Sequence, residues 1–453
     1  MFHLGSVRNV MRVWLAAQAL FFAALLSREA SALPAFARKY ETTCQTCHLV
    51  YPKLTPFGEA FRRNGYRFPS KGDEVMTKRE PVALGTEAQA DLWPDAVYPG
   101  TIPQEFPLSA TAQLTAKLGT AFEAHGGEAE ADGHGHAAAA GGSEDMKLDF
   151  GQLGASARLV SGATFGEVSS FLMAIAFGEH APVEVERLAL SFYPLSPQHL
   201  QIKAGRFEPD LHGISIHRGV LGHQLRFTSA RPLNSGFAVE PYIHAIQLSG
   251  MLAGRVGWTA GVAQNMAPVE GLEKDVYLRA EGKLGGMRLD GIDSVAESKA
   301  WREKSISYGV SGYRGRSLVT GASGATHADR FLRVGADVHA VWNDLMLDLA
   351  AARQWHEAPG EVADGSRVLT LAYAELTYVT LPWLFPTLRY EGSFTTGRVV
   401  DGKSVRETGW LGLAGVNCLL RPNLVLRTDT GVGADPGGHT EFRFVSMNAV
   451  VAL

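Results

Sequence analysis

Cys44, Cys47 and His48 stand in the run Cys44-Gln45-Thr46-Cys47-His48, and their spacing has a definite chemistry. Two thiols separated by two residues can add to the two vinyl groups on one edge of a haem. The imidazole that follows falls where it can bind the iron from the proximal side. C-x-x-C alone is a weaker signal, shared by thioredoxin-like dithiols and by halves of zinc sites. A zinc site needs a second ligand pair, and the sequence has no second C-x-x-C. A thioredoxin motif follows a strand within a βαβ unit, and none is legible around residue 44. The residues therefore predict one covalent haem c, attached at Cys44 and Cys47 with His48 as proximal iron ligand. For the sixth ligand, Met76 is the nearest downstream methionine outside a predicted strand. Histidines of later loops and an open position are the alternatives. A methionine raises the potential relative to a second histidine.

A short helix must position this motif. Thr55 suits an N-cap and Pro56 the first helical position. Asn64-Gly65 offers a left-handed stop. Leu54, Phe57 and Phe61 then share one face that could pack on a haem. Arg62, Arg63 and Arg67 could meet its propionates or form a solvated basic face. The flanking runs LPAFAR (33–38) and YPKLTPFGEAFRRNGY (51–66) resemble the heads of fused monohaem cytochrome–porins. That family includes the outer-membrane iron-oxidising cytochromes of neutrophilic and acidophilic iron oxidisers. The likeness is close over these residues and architectural beyond them. It departs at Lys39-Tyr40-Glu41, where the family has a Gln-Thr-Gly-like stretch, and this leaves the electron donor open. The resemblance implies electron transfer across the outer membrane, from extracellular Fe(II) to periplasmic cytochromes.

Length and composition agree with such a chain. There are 453 residues, 46% hydrophobic, with 50 glycines and a formal charge of −4. The balance gives no case for nucleic-acid binding. Arg8 and Arg12 precede an apolar run from Val13 to Leu26, and Ala30-Ser31-Ala32 reads as a cleavage site. Residues 1–32 are therefore expected to be a signal peptide, with an uncleaved anchor as the alternative. Export suits c-type haem, which bacteria attach outside the cytoplasm. Residues 33–75 are the expected head, and the proline-rich stretch 76–107 a linker.

From Leu108 to Leu453 the pattern changes to segments of membrane-strand length separated by turn residues. Sixteen candidate strands are readable, at 108–122, 147–160, 164–177, 183–193, 198–206, 239–250, 253–264, 274–284, 304–315, 330–341, 343–354, 367–380, 385–396, 406–419, 422–434 and 441–453. Their connections alternate between long and tight, with tight ones at Met251-Leu252 and Trp342. The exception, 285–303, calls for a small helix or a missed strand pair. The fold class is mainly β: a transmembrane antiparallel barrel of about sixteen strands behind a small α-helical monohaem cytochrome c-type head. That places the chain in lipid, in the outer membrane of a Gram-negative bacterium. A soluble sandwich or propeller is the alternative, but no blade-length repeat is present. Cys418 reads as a small buried or lipid-facing hydrophobe.

Three further signals are weaker. His125, His134 and His136 with nearby carboxylates suggest a loop of opportunistic metal affinity. Residues 207–238 carry His212, His217, Arg218, His223, Arg226 and Arg231, either as a surface loop or folded into the lumen. Gly397 to Ser404 matches G-x-x-x-x-G-K-[ST] but lies between two predicted strands, so the match is read as chance. The haem expectation has a direct check. Denatured protein should keep its haem on a gel, and Cys44→Ala or Cys47→Ala should yield very little holoprotein. Haem that extracts freely into acidic organic solvent would contradict covalent attachment.

Overall fold

The computed structural model describes residues 35–40, 42–69, 91–92, 108–121, 149–165, 168–178, 183–215, 217–221, 225–232, 235, 237, 239, 242–264, 274–293, 301–320, 326–360, 365–400, 403–434 and 441–452. The expected signal peptide, Met76, nearly all of the linker, the histidine stretch 125–136, His223 and Ser294 to Ala300 lie outside them. A small N-terminal unit contains α1 (Ala35–Lys39), α2 (Cys44–Cys47), β1 (His48–Val50), β2 (Lys53–Leu54) and α3 (Pro56–Arg63). Sixteen strands follow, and they form one closed ring. The first eight are β3 (Leu108–Ala121), β4 (Asp149–Phe165), β5 (Ser169–Gly178), β6 (Glu184–Phe192), β7 (Gln201–Phe207), β8 (Ile243–Leu252), β9 (Val256–Gln264) and β10 (Asp275–Gly285). The others are β11 (Lys304–Thr320), β12 (Thr326–Trp342), β13 (Leu345–His356), β14 (Arg367–Tyr378), β15 (Leu384–Val400), β16 (Lys403–Arg421), β17 (Leu424–Ala434) and β18 (Glu441–Ala452). One short helix, α4 (Arg226–Ser229), lies between β7 and β8.

Each barrel strand runs antiparallel to its chain neighbour, and β18 pairs with β3 to close the ring. Every expected strand has its counterpart; the differences lie in the turns. Leu252 and Trp342 end strands instead of turning. The chain reverses at Ala253-Gly254 and at Asn343, where φ is 49°, 65° and 55°. Reversals this tight need left-handed residues, which glycine and asparagine adopt at least cost. No strand pair is missing at 285–303, because β10 and β11 pair directly from Val276 to Gly285. Gly397 to Ser404 spans the β15–β16 hairpin, with Val400 opposite Lys403, so it joins strand to strand and not strand to helix.

The period of two sorts the side chains by face. On β11, Ile306, Tyr308 and Val310 are exposed, whereas Ser305, Ser311 and Tyr313 are buried. On β6, Leu188, Leu190 and Phe192 are exposed and alternate with buried Ala189 and Ser191. Cys418 is half-buried between inward-facing Asn417 and Leu419, and so shares the outward-facing parity of β16. The inner wall is polar and paired: Arg279 donates to Asp337 at 2.5 Å and Arg389 to Glu375 at 2.9 Å. An apolar exterior around a polar interior inverts the soluble pattern and is the solution that lipid imposes. The protein is a porin-like barrel of the Gram-negative outer membrane. Its short turns gather at the end where Thr111 pairs with Ala452, which by the rule for such barrels is the periplasmic end.

Sixteen strands enclose a lumen that wall side chains cannot fill. Two pieces of chain fill it. Leu49 and Val50 of β1 pack with Met346, Phe385 and Val425 of the wall and with Trp301 of the β10–β11 connection, at the short-turn end. The segment between β7 and β8 folds inward rather than over the surface. Its Val220 joins the same apolar group as Leu49, and its Leu221 packs on Leu411, Leu413 and Phe444. Phe227 of α4 is pinned at both backbone groups: its N–H donates to Glu391 at 2.9 Å, and its carbonyl accepts from Arg333 at 3.2 Å. Every barrel strand lies between residues 108 and 452. A chain with a signal peptide joined near Leu108 is therefore expected to reach the outer membrane as a heat-modifiable barrel. With the N-terminal unit gone, its single-channel conductance should exceed that of the full chain; equal conductance would mean that this unit does not obstruct the lumen.

Candidate functional site

The C-x-x-C turn is held rigidly from beneath. α2 is a single turn, which brings Cys44 and Cys47 to one side at i and i+3. Thr55 joins it to α3. Its Oγ1 donates to Thr46 O at 2.9 Å and accepts from Gly58 N at 3.1 Å, while its own N–H donates to Cys47 O at 2.9 Å. The expected N-cap is thus also the clasp of the motif. Gly58 has to be glycine, since a Cβ there would lie 2.0 Å from Cys47 O. α3 ends at Arg63, and the left-handed stop falls on Gly65 and Tyr66, at φ of 68° and 63°.

The N-terminal unit is fastened to the barrel around its circumference. Arg38 donates to Leu108 O, and Lys39 to Thr164 Oγ1 at 2.9 Å. Gln45 donates to Pro422 O at 2.8 Å, Arg67 to Ser169 O at 2.5 Å and Asn64 to Asp290 O at 2.9 Å. The long β10–β11 connection therefore serves as part of the seat. The deepest anchor is Lys53, whose ammonium donates to Asp348 and Glu375, both at 2.9 Å. Burial alone would lower its pKa, but the two carboxylates raise it above the usual lysine value. From the other side, Glu59 accepts from Arg62 at 3.2 Å and from Arg218 of the inward segment at 2.9 Å. Burial would raise the Glu59 pKa; Arg218, Arg62 and Arg63 outweigh it and hold the value at about 2.

Between this unit and the wall lies a cavity of about 250 Å³. Cys44, Cys47 and His48 line it together with Phe36, Tyr40, Phe57, Phe61, Tyr66 and Phe68. The aromatic rings form one packed group: Tyr40 and Phe61 meet edge to face at 5.5 Å, and Phe36 stacks on Tyr66 at 5.6 Å. Both thiols are free, and burial pushes them up to about 11 for Cys44 and about 12 for Cys47. Burial pulls His48 down to about 4, so its imidazole is neutral at ordinary pH. Its Nδ1 lies 3.2 Å from Pro52 O. With Nδ1–H donating to that carbonyl, Nε2 keeps its lone pair.

The far side of the cavity is basic, and here sequence reasoning was incomplete. Leu54, Phe57, Phe61 and Arg62 line it as their spacing suggested. Arg63 and Arg67 do not line it: Arg63 pairs with Glu281 on β10, and Arg67 lies over the Tyr193 ring at 5.0 Å. The other arginines on the cavity are Arg158, Arg187 and Arg218. Arg158 is paired with Glu186 at 2.5 Å. Arg187 faces inward beside Glu186 because the β5–β6 register shifts between Ala174 and Ile175, a bulge that turns two consecutive residues to one face. His217, from the inward segment, also lines the cavity. Burial first, then Arg187, Arg158 and Arg218, hold its pKa well below the usual histidine value. His212 lies apart, edge-on to Phe227 at 5.4 Å. Among the described residues, no group of three or more His, Cys, Asp or Glu side chains is placed to hold a bare metal ion.

No protein-family model matches the chain, and no curated protein is similar to it in sequence. Solved structures to which it is similar include the outer membrane channel DcaP of Acinetobacter baumannii, at 12% identity over 76% of this chain and 96% of that one, TM-score 0.48. The anion-selective porin from Comamonas acidovorans shares 10% identity over 76% and 98%, TM-score 0.49. OmpF of Salmonella typhi, in complex with daunomycin, shares 11% over 76% and 97%, TM-score 0.48.

Removing one partner from a buried ion pair costs about 3–5 kcal/mol. Asp348 keeps His339, and Glu375 keeps Arg389, when Lys53 is lost. Lys53→Met is therefore expected at the low end, about 3 kcal/mol, as weaker seating of the N-terminal unit. Limited proteolysis should cut within residues 35–69 sooner in the variant while the barrel stays resistant. Unchanged cutting would show that the Lys53 cluster does not hold the seat.

Proposed function

We propose that the protein is an outer-membrane electron-transfer protein. Cys44, Cys47 and His48 would hold one covalent haem c, through which the chain would relay electrons between an extracellular donor, Fe(II), and periplasmic cytochromes. The observation that carries the reading is the position of the C-x-x-C-H turn on an aromatic cavity inside the periplasmic mouth. The chemistry of the lining fits the group. Two thiols stand one helical turn apart for thioether bonds, and a neutral imidazole is oriented through Nδ1. Apolar rings suit a macrocycle, and guanidinium groups suit its propionates. Buried Nε atoms of Arg187 and Arg218 have no hydrogen-bond partner among the described residues, as expected where an anionic group completes the site. A bound haem supplies a one-electron iron couple, whose potential the protein sets by ligation, burial and nearby charge.

The rest of the chain supports the reading by placement. Lipid is a barrier to electrons, and the N-terminal unit sits within the wall rather than beside it. The inward segment closes the cavity through His217 and Arg218, and Arg218 is tied to Glu59 of α3. Fe(II) as donor comes from the resemblance of LPAFAR and YPKLTPFGEAFRRNGY to iron-oxidising cytochrome–porins. A second reading is a diffusion porin with a haem-bearing plug or redox sensor. The sixteen-strand barrel, taken alone, favours it. A lumen filled at one level by both the N-terminal unit and the inward segment favours the first.

The test is a reduced-minus-oxidised spectrum of outer membranes before and after adding Fe(II). The haem band should appear with Fe(II) and be lost in His48→Ala. A haem-loaded, inserted protein that stays oxidised at neutral and acidic pH would exclude an iron oxidase and leave a reductive conduit fed from the periplasm. High conductance of the haem-loaded chain in planar bilayers would favour the diffusion porin.

A further inference from the structure

We propose that His217 is the second axial ligand of the haem iron, so that the inward segment between β7 and β8 completes the coordination begun by His48. This inference rests on the haem reading above. Among the described residues that line the cavity, His217 is the other imidazole, and none is a methionine or lysine. Tyrosines line it too, but a neutral imidazole is the stronger candidate for a low-spin c-type iron.

The ring of His217 is held as a ligand ring would be. It stacks on Tyr242 at 4.5 Å with an interplanar angle of 20°. Its Nδ1 lies 3.1 Å from Tyr242 Oη, and its backbone N–H donates to Ser215 Oγ at 3.1 Å. With Nδ1–H donating to the phenol oxygen, Nε2 carries the lone pair. That Nε2 is buried and has no hydrogen-bond partner among the described residues. A buried nitrogen left unpaired costs about 1–3 kcal/mol, so its persistence calls for a partner of another kind. The backbone that carries it is fixed to the N-terminal unit. The adjacent Arg218 donates to both carboxylate oxygens of Glu59 at 2.9 and 3.2 Å. Tyr242 and Glu59 together give His217 the outer support that metal-bound histidines have.

The assignment is testable by spectroscopy on the full-length, haem-loaded chain in detergent. Wild type should show the low-spin electron paramagnetic resonance signature of two imidazoles. His217→Ala should keep its haem on a denaturing gel, become high-spin and bind carbon monoxide, and free imidazole should restore the low-spin signal. His217→Met should gain the methionine–iron charge-transfer band and a higher potential, and it gives the answer if the alanine variant does not fold. Met287, which packs on the aromatic group without lining the cavity, is the control: Met287→Leu should change nothing. A His217→Ala or His217→Met protein that retains haem with the wild-type low-spin spectrum overturns the assignment. A wild-type chain that inserts as a barrel but carries no covalent haem overturns instead the reading on which it rests.

Discussion

The width of the lumen constrains everything else in this chain. A ring of sixteen strands is too wide for opposing side chains to meet, so its interior must hold water or be filled by something else. This chain fills it twice, from the N-terminus and from the segment after β7. Each filler needs the other as well as the wall: Arg218 of the segment meets Glu59 of α3, and Asp210 accepts from Arg62 at 2.7 Å. The charges on the wall follow from this need. A polar interior would otherwise be solvated. Here Asp348, Glu375, Glu281 and Glu391 are each spent on an incoming cation or backbone N–H.

Filling a polar tube with a polypeptide leaves gaps, and where a gap falls is decided by shape. The one beside the C-x-x-C-H turn is lined by aromatic rings of the N-terminal unit and by arginines from α3, β4, β6 and the inward segment. It lies between a rigid clasp at Thr55 and a wall whose register slips beside it, at the β5–β6 bulge. One margin is thus fixed by a buried threonine hydroxyl bonded to backbone on both sides, the other by the main-chain ladder of the wall. Such fixed margins are what the proposed electron transfer would need, since it gains from small reorganisation.

Much of this was legible in the sequence, for reasons that can be traced to residues. The strands were readable even where alternation was poor, because turn residues and alternating connection lengths mark their ends. Thr55-Pro56 at the start of α3 and Leu54, Phe57 and Phe61 on one face followed from local rules. The side chains that complete the cavity did not. Arg158 and Arg187 sit on strands where an inward charge is unremarkable, and Arg187 turns inward through a bulge, which is a property of pairing. Arg63 and Arg67 looked equivalent to Arg62 in sequence, yet helix phase and the Gly65–Tyr66 turn direct them to the wall. For His212 and His217, the inward path alone decides which lines the cavity.

The seat of the N-terminal unit also sets an order of assembly. This unit leaves the ribosome before any barrel strand, yet Gln45 is held by Pro422, 377 positions later, and Leu49 packs with Val425. Contacts so distant in sequence form only after a large loop-closure cost has been met. The N-terminal unit must therefore wait in the periplasm, unseated, until the last strands arrive. If the proposed haem is attached, that interval is the window in which thiols destined for burial remain open to an attaching enzyme. Barrel closure would end it, making the membrane-insertion step a deadline for attachment of the proposed haem.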